Sequence, residues 1–368
     1  MRGVLRGSLT VSADGAIPRP KKVFRRRRQK VLDSIAILPL QNESADAETE
    51  YLSDGITESI INTLSQIPRL RVMARSTVFR YKGKPIDPLL VGQELRVAAV
   101  FSGRVEHRAD QLYIQMELAD ASDGARLWGE TFQRRLSGIF ELQEEIAREI
   151  SSKLRVRLLA EERKRLTKRY TQNTEAYKLY LRGRFYWNKR TEEGFRKAIE
   201  HFELAILEDP EYALAYAGLS DCYGLLGGYG YIPPINGYRK AREYAAKALD
   251  LDSSLAEAHA SMAVIHYRFD WNWSEAEKAF VIALQLNPGY MSAHQWYAVF
   301  LAIMQRFEEA EAEIQNALEL DPLSLILNWT KGYLLFYMRR YDEAVEQLRR
   351  TLDLEPNFIR AHFDLGLA

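Results

Sequence analysis

The sequence predicts two architectures in one chain: a small α/β domain, then an all-α solenoid of helical repeats. Three observations predict it. Between residues 31 and 160, short β-branched runs alternate with stretches of helical apolar spacing, the pattern of a sheet covered by helices. From residue 173 onward one phrase returns: AILEDP at 205–210, ALDLDS at 248–253, ALQLNP at 283–288, ALELDP at 317–322 and TLDLEP at 351–356. The phrases end 43, 35, 34 and 34 residues apart. A fixed period of that size marks stacked supersecondary units. The third observation is charge. A formal net of +1 over 368 residues conceals +9 in residues 1–30 and −8 in the remainder.

The basic segment comes first. It is rich in Gly, Ser, Pro and Arg, has no apolar period, and reads as a disordered arm. Lys21, Lys22, Arg25, Arg26, Arg27, Arg28 and Lys30 form its dense part. Such a cluster suits an anionic lipid surface or stays solvated. Nucleic acid is the weakest of the three readings, because no aromatic residues interleave the charges.

The α/β domain follows. Ser34–Leu40 (SIAILPL) is a strand stopped by a proline, and Gln41–Thr49 an acidic loop. Ile56, Ile60, Ile61, Leu64 and Ile67 recur at helical spacing, with Ser53 or Asp54 as N-cap and Pro68 as terminator. Leu70–Ala74 is a second strand, Pro88–Leu95 a short helix and Val97–Val105 a further strand. Leu112, Ile114, Met116 and Leu118 alternate with polar residues, so that strand is half-buried. Ala119–Ala125 is a turn into a strand at Arg126–Phe132. Gly138–Ala160 is a long amphipathic helix, and residues 161–172 are a charged connector that continues it.

Residues 173–368 hold five repeat units and the start of a sixth. Twelve residues before each phrase ends stands an alanine: Ala198, Ala241, Ala276, Ala310 and Ala344. Ten residues after the later phrases come Ala263, Ala298, Gly332 and Gly366. Small residues at fixed places let two helices approach closely. The second unit carries nine extra residues at Gly227–Gly237, which read as a flexible insertion between its helices. The final helix, ending at Ala368, has no polar cap and predicts an exposed apolar edge.

These phrases and alanines resemble the tetratricopeptide repeat, a helix–turn–helix unit of 34 residues. The segment 33–160 resembles the amino-terminal domain of TolB and its relatives. Tyr51, Asp54, Gly55, Gly83, Gly92, Gly103, Asp120, Gly124 and Trp128 carry that resemblance. Chains that join such a module to tetratricopeptide repeats look like the rear halves of bacterial Ser/Thr kinases, class III nucleotide cyclases and winged-helix regulators. The resemblance implies cytoplasmic signalling work, with the basic arm as a possible membrane contact, by a chain whose effector domain lies elsewhere.

Catalytic and metal chemistry find little support. The one cysteine, Cys222, excludes an intrachain disulfide. The longest clean apolar run, Tyr297–Met304, is eight residues, against the roughly 18–20 that a membrane helix needs. His259, His294 and His362 share one repeat position. Neighbouring repeat helices lie roughly 8–10 Å apart, too far for shared zinc ligation, so this reads as a packing position. GGYGY at 227–231 lacks the Lys-Ser/Thr of a phosphate loop. Asp46, Glu48 and Glu50 read as an ordinary acidic surface rather than a cation site. No enzyme, cofactor or metal is expected.

The expected function is protein interaction. In the tetratricopeptide repeat the first helix of each unit lines a concave groove. Mapped by repeat position, that face carries Tyr177, Tyr180, Arg184, Trp187, Tyr267, Arg268, Gln295, Trp329, Tyr333, Phe336 and Tyr337. Aromatic residues with arginine are the side chains that interface hot spots favour. The reading is a non-enzymatic adaptor whose groove holds a protein or peptide. The alternative is the regulatory portion of a kinase, a cyclase or a winged-helix transcription regulator.

Overall fold

The computed structural model describes residues 32–44, 49–109, 111–154 and 158–368. The basic arm, with Lys21, Lys22, Arg25, Arg26, Arg27, Arg28 and Lys30, lies outside the described residues, as do Asp46 and Glu48.

The sheet grows from the first predicted strand. β1 (Ser34–Ile37) is buried along its whole length, as a run of Ile and Ala flanked on both sides by strands should be. Pro39 has no N–H to donate, so pairing lapses and resumes as β2 (Gln41–Asn42) on the same neighbour. β3 (Arg71–Val72) and β4 (Ala99–Arg108) both run parallel to β1. β5 (Gln111–Asp120) and β6 (Arg126–Arg135) complete an antiparallel meander from β4. The strand order is β3-β1-β4-β5-β6.

Helices α1 (Glu50–Ser65) and α4 (Ile139–Lys153) bury Ile56, Ile60, Leu64, Ile139, Leu142, Ile146 and Ile150 in the same core as the strand residues. Two expectations need correction. α1 begins at Glu50 with Thr49 as N-cap. Ser53 and Asp54 are buried inside it: Ser53 bonds the Glu50 carbonyl at 2.9 Å, and Asp54 accepts from Lys82 at 2.5 Å. The helix predicted over Gly138–Ala160 stops at Lys153, and the connector holds a separate short helix, α5 (Ala160–Leu166). Between α1 and α4 lie the single turn α2 (Arg75–Val78) and α3 (Pro88–Leu95). The bounds of α3 match its prediction, because Asp87 caps the Leu89 amide at 2.9 Å and Pro88 occupies the first turn.

The remaining helices pair in chain order, as a tetratricopeptide-like solenoid. The pairs are α6 (Thr174–Trp187) with α7 (Glu192–Glu208), and α8 (Ala213–Gly228) with α9 (Pro234–Leu251). The third pair is α10 (Ala256–Ile265), prolonged by a π-helical turn at His266–Asp270, with α11 (Trp273–Leu286). Then come α12 (Met291–Ile303) with α13 (Phe307–Leu320), α14 (Leu325–Tyr337) with α15 (Tyr341–Leu354), and finally α16 (Ile359–Leu367). The repeated alanines Ala198, Ala241, Ala276, Ala310 and Ala344 are at most 1% exposed. Phe202 fills the space left by the missing side chains of Gly183 and Gly218, where a Cβ would lie 2.4 and 2.7 Å from its ring.

Two further periodicities emerge. The side chain six residues after each unit boundary bonds the boundary carbonyl. Tyr216 donates to Pro210, His259 to Ser253, His294 to Pro288, Asn328 to Pro322 and His362 to Pro356, at 2.7–3.2 Å. The shared histidine position is therefore a turn clasp. The residue between the two helices of each unit is left-handed: Arg190, Gly230, Trp271, Gln305 and Arg339 have φ of 55°, 77°, 57°, 60° and 60°. Only the second unit uses glycine there. Left-handed backbone costs an ordinary residue about 1–2 kcal/mol, partly offset by the greater chain entropy that glycine loses. Gln305→Gly is thus expected to raise stability by about 0.5–1 kcal/mol, read as a higher urea midpoint with an unchanged slope.

The second unit's extra residues do not form a loose loop. They lengthen α8 and α9 to 16 and 18 residues, leaving only a short turn between them. Ile359, Phe363 and Leu367 of α16 are exposed.

Candidate interaction groove

The α/β region and the solenoid belong to one compact unit, Leu32–Ala368. What joins them is a ladder of boundary residues. The acid or amide in each of the first four repeat phrases accepts a bond from the chain's earlier part. Asp209 accepts from Thr171 at 2.5 Å and Asp252 from Lys168 at 2.5 Å. Asn287 accepts from Ser65 at 3.3 Å, and Asp321 accepts from Ser76 and from Thr77. Backbone bonds reinforce the last two rungs, Gly289 N–H to Ser65 O at 3.2 Å and Ala74 N–H to Leu320 O at 2.8 Å. Gly289 has no room for a side chain, since a Cβ would sit 2.8 Å from the Ser65 carbonyl. No single-sequence signal marks these contacts, whose partners lie 38 to 246 residues apart.

The inner face meets α1 in a buried charge cluster. Glu58 pairs with Arg184 of α6 at 2.7 Å and Arg75 at 3.1 Å, and accepts from Asn188 at 2.8 Å. Burial alone would raise the Glu58 pKa, but the two guanidiniums outweigh it and hold the carboxyl below its ordinary value. Arg184 is held correspondingly above its own ordinary value, despite burial.

The predicted groove residues therefore divide. Tyr177 and Tyr180 are no open surface. Tyr177 is buried against Phe140 of α4, its hydroxyl accepting from Gln143, and Tyr180 packs between Phe202 and Tyr212. Their face of α6 is already occupied by the chain's own α/β region. Arg184, Trp187, Tyr267, Arg268, Gln295, Trp329 and Tyr333 come together around one cavity of about 700 Å³ between the solenoid's inner face and the segment Glu58–Arg80. Trp187 and Tyr267 are nearly fully buried in its wall, so their rings are packing as much as surface. Arg184 and Arg190 cover Trp187 at 4.2 and 3.7 Å, and Gln295 donates to Thr330 at 3.1 Å. Phe336 is not part of that wall; it packs edge-on against Tyr341 of α15. An aromatic ladder leads outward instead, from Trp329 to Tyr333 to exposed Tyr337, with ring centroids 5.4 and 4.5 Å apart.

Arg360 of α16 was not anticipated. It reaches across the solenoid to lie 4.3 Å from the Tyr229 ring of the second unit and 5.2 Å from Trp329. Repeat position assigns Arg360 to the first helix of the sixth unit, but only the superhelical turn brings it to the second. Among the described residues no group of His, Cys, Asp and Glu is arranged to hold a metal ion. None of the described helices is long and apolar enough to cross a membrane.

Comparison with known proteins divides the chain in the same way. Residues 30–149 match the second domain of HilA/YgeH-like transcriptional regulators, a span that contains the residues of the TolB resemblance. Residues 272–324 and 330–368 match the tetratricopeptide repeat. A protein of Rhizobium meliloti (strain 1021) bearing the provisional name adenylate cyclase 3 is 37% identical over 239 residues, which take in 63% of this chain. The chain spans only 40% of that relative's length. Among solved structures, the Thermus thermophilus tetratricopeptide protein TTC0263 is 19% identical with a TM-score of 0.42, covering 50% of this chain and 94% of its own. YrrB, described as a tetratricopeptide protein with an unusual peptide-binding site, is 18% identical with a TM-score of 0.33, covering 54% and 97%.

Proposed function

We propose that this chain is a non-enzymatic adaptor of bacterial signalling, working in the cytoplasm and binding a partner protein through the inner face of its solenoid. The carrying observation is the ladder Trp329–Tyr333–Tyr337, which runs from the cavity wall to an exposed ring on one rigid helix. Rigid aromatic side chains lose little entropy on binding and bury large area, which suits them to anchor a partner segment. The α/β region covers the first unit's share of the groove, so the partner segment uses the later units. The tetratricopeptide match supports an interaction role in general.

The test is capture from lysate of the native host with the wild-type chain and a Tyr333→Ala/Tyr337→Ala variant. The partner recovered by the wild type should fall at least tenfold with the variant, at unchanged helical circular dichroism. Equal recovery would remove the ladder from the interface.

A second reading is favoured by two observations together, the regulator match over residues 30–149 and the partial coverage of the cyclase-named relative. In it the chain is the regulatory portion of a transcription regulator or signalling enzyme, and the solenoid reports partner binding to an effector domain. The two readings separate by whether the captured partner changes the output of a linked effector.

A further inference from the structure

The cavity between the solenoid and the α/β region has a charge that a partner peptide does not explain. Six arginines line it, Arg75, Arg80, Arg184, Arg190, Arg268 and Arg360, against two carboxylates, Glu58 and Asp221. Both acids are already engaged. Glu58 is taken by Arg75, Arg184 and Asn188, and Asp221 accepts from Ser261 at 2.6 Å. Among the described residues, Arg190, Arg268 and Arg360 have no carboxylate within ion-pair distance. Arg190 lies over Trp187 at 3.7 Å, Arg360 over Tyr229 at 4.3 Å, and Arg268 bonds the Tyr267 hydroxyl at 2.8 Å. Aromatic faces hold these cations in place without neutralising them.

The wall also holds polar atoms that the fold leaves without partners. Besides the arginines, it contains two buried donors with no partner, Trp187 Nε1 and Ser220 Oγ. A peptide backbone carries no charge to answer the three arginines that lack a carboxylate partner. A phosphate brings acceptors only, and its oxygens suit the planar guanidinium fork. At about 700 Å³ the cavity falls in the range of small-molecule sites.

We propose that this cavity binds a small phosphate-bearing molecule, gripped by Arg190, Arg268 and Arg360 between the inner face of the solenoid and the α/β region. Such a ligand would touch three separated parts of the solenoid, and the fourth wall belongs to Ala74–Arg80. Binding would therefore fasten the two regions together and stabilise both. This reading does not depend on the partner-protein assignment, and the two are tested on different residues.

The test is thermal unfolding and calorimetric titration of the full chain at near-physiological salt. The probes are ATP without metal, inorganic tripolyphosphate, adenosine and a hexaglutamate peptide. The expected result is saturable binding of ATP and tripolyphosphate with a concentration-dependent rise in Tm, and none for adenosine. ATP binding more tightly than tripolyphosphate would assign the site to a nucleotide, and equal binding to the phosphate chain alone. In Arg190→Gln/Arg360→Gln the affinity should fall at least tenfold. Arg268→Gln alone should weaken binding several-fold. Binding that persists unchanged in the double variant belongs to the basic arm and overturns the proposal. So does tighter binding of hexaglutamate, or no saturable binding of either phosphate probe. A folded double variant with wild-type Tm in the absence of probes separates lost binding from lost structure.

Discussion

Glu58→Gln is expected to cost roughly 3–5 kcal/mol of stability, because it leaves the mostly buried Arg184 guanidinium without a counter-charge and Arg75 with Asp54 alone. Arg184 and Arg75 lie 2.7 and 3.1 Å from the Glu58 carboxylate, in a joint of α1, α2 and α6 where the carboxylate is 8% exposed and the two arginines 17% and 22%. An exposed pair of the same geometry would matter by about 0–1 kcal/mol, so burial decides the size of the effect. The same cluster gives a pH dependence. The folded Glu58 pKa is held below its ordinary value of 4.5, against a desolvation effect that pushes upward. A group depressed in this way contributes stability that is present above the unfolded value and lost as pH falls through the folded value. The wild type should therefore weaken progressively below about pH 4.5, and Glu58→Gln should remove that part of the acid transition. Urea unfolding across pH, followed by circular dichroism, reads both effects. A loss under about 1 kcal/mol at neutral pH would mean that water enters the joint and screens it.

Phe202→Ala should be of similar size, about 3–5 kcal/mol, for a different physical reason. The Phe202 ring is fully buried between α6 and α8, with Gly183 and Gly218 pressed against it and Tyr180 5.6 Å from its centroid. Truncation opens a cavity at the junction of the first two units, and two glycines have no side chains with which to fill it. Stacked units are stabilised chiefly by their neighbours, so the loss should fall on the N-terminal helices first. Hydrogen exchange should show α6, α7 and α8 losing protection ahead of α14 and α15. Uniform loss along the whole solenoid would indicate that it unfolds as one cooperative body. Phe202→Leu should retain more than half of the lost stability, since most of the volume remains.

Much of this architecture is legible residue by residue. Pro88 with Asp87 announces the start of α3, and the alternation from Leu112 to Leu118 announces a half-buried strand, because local chemistry alone decides both. The misplaced N-cap of α1 has a tertiary cause. Ser53 and Asp54 are good capping residues, but Asp54 is drawn inside the helix, where Lys82 and Arg75 compensate its charge. The helix predicted through Ala160 ends at Lys153 instead. Apolar spacing in Gly138–Leu154 establishes that a helix forms, while the charged residues that follow carry no equally strong signal for where it stops.

The groove shows the same division. Arg184, Gln295, Trp329 and Tyr333, placed on one face by repeat position, line one cavity, because equivalent positions in stacked units share a face. It cannot reveal that Tyr177 and Tyr180 are covered, since what covers or packs on them includes Phe140 and Gln143 of a different region. By itself the sequence determined the two architectures and the spacing of the units. Small side chains at fixed intervals are a local condition for helices to touch, and any chain that meets it in five registers has little choice but to stack. Only the tertiary structure decided what the solenoid encloses. The bonds of Asp209, Asp252, Asn287 and Asp321 to the earlier region, and the reach of Arg360 to Tyr229, join residues far apart in the chain. Periodicity specifies how neighbours pack. Contacts between distant elements follow from the accumulated superhelical turn, which no short window of residues contains.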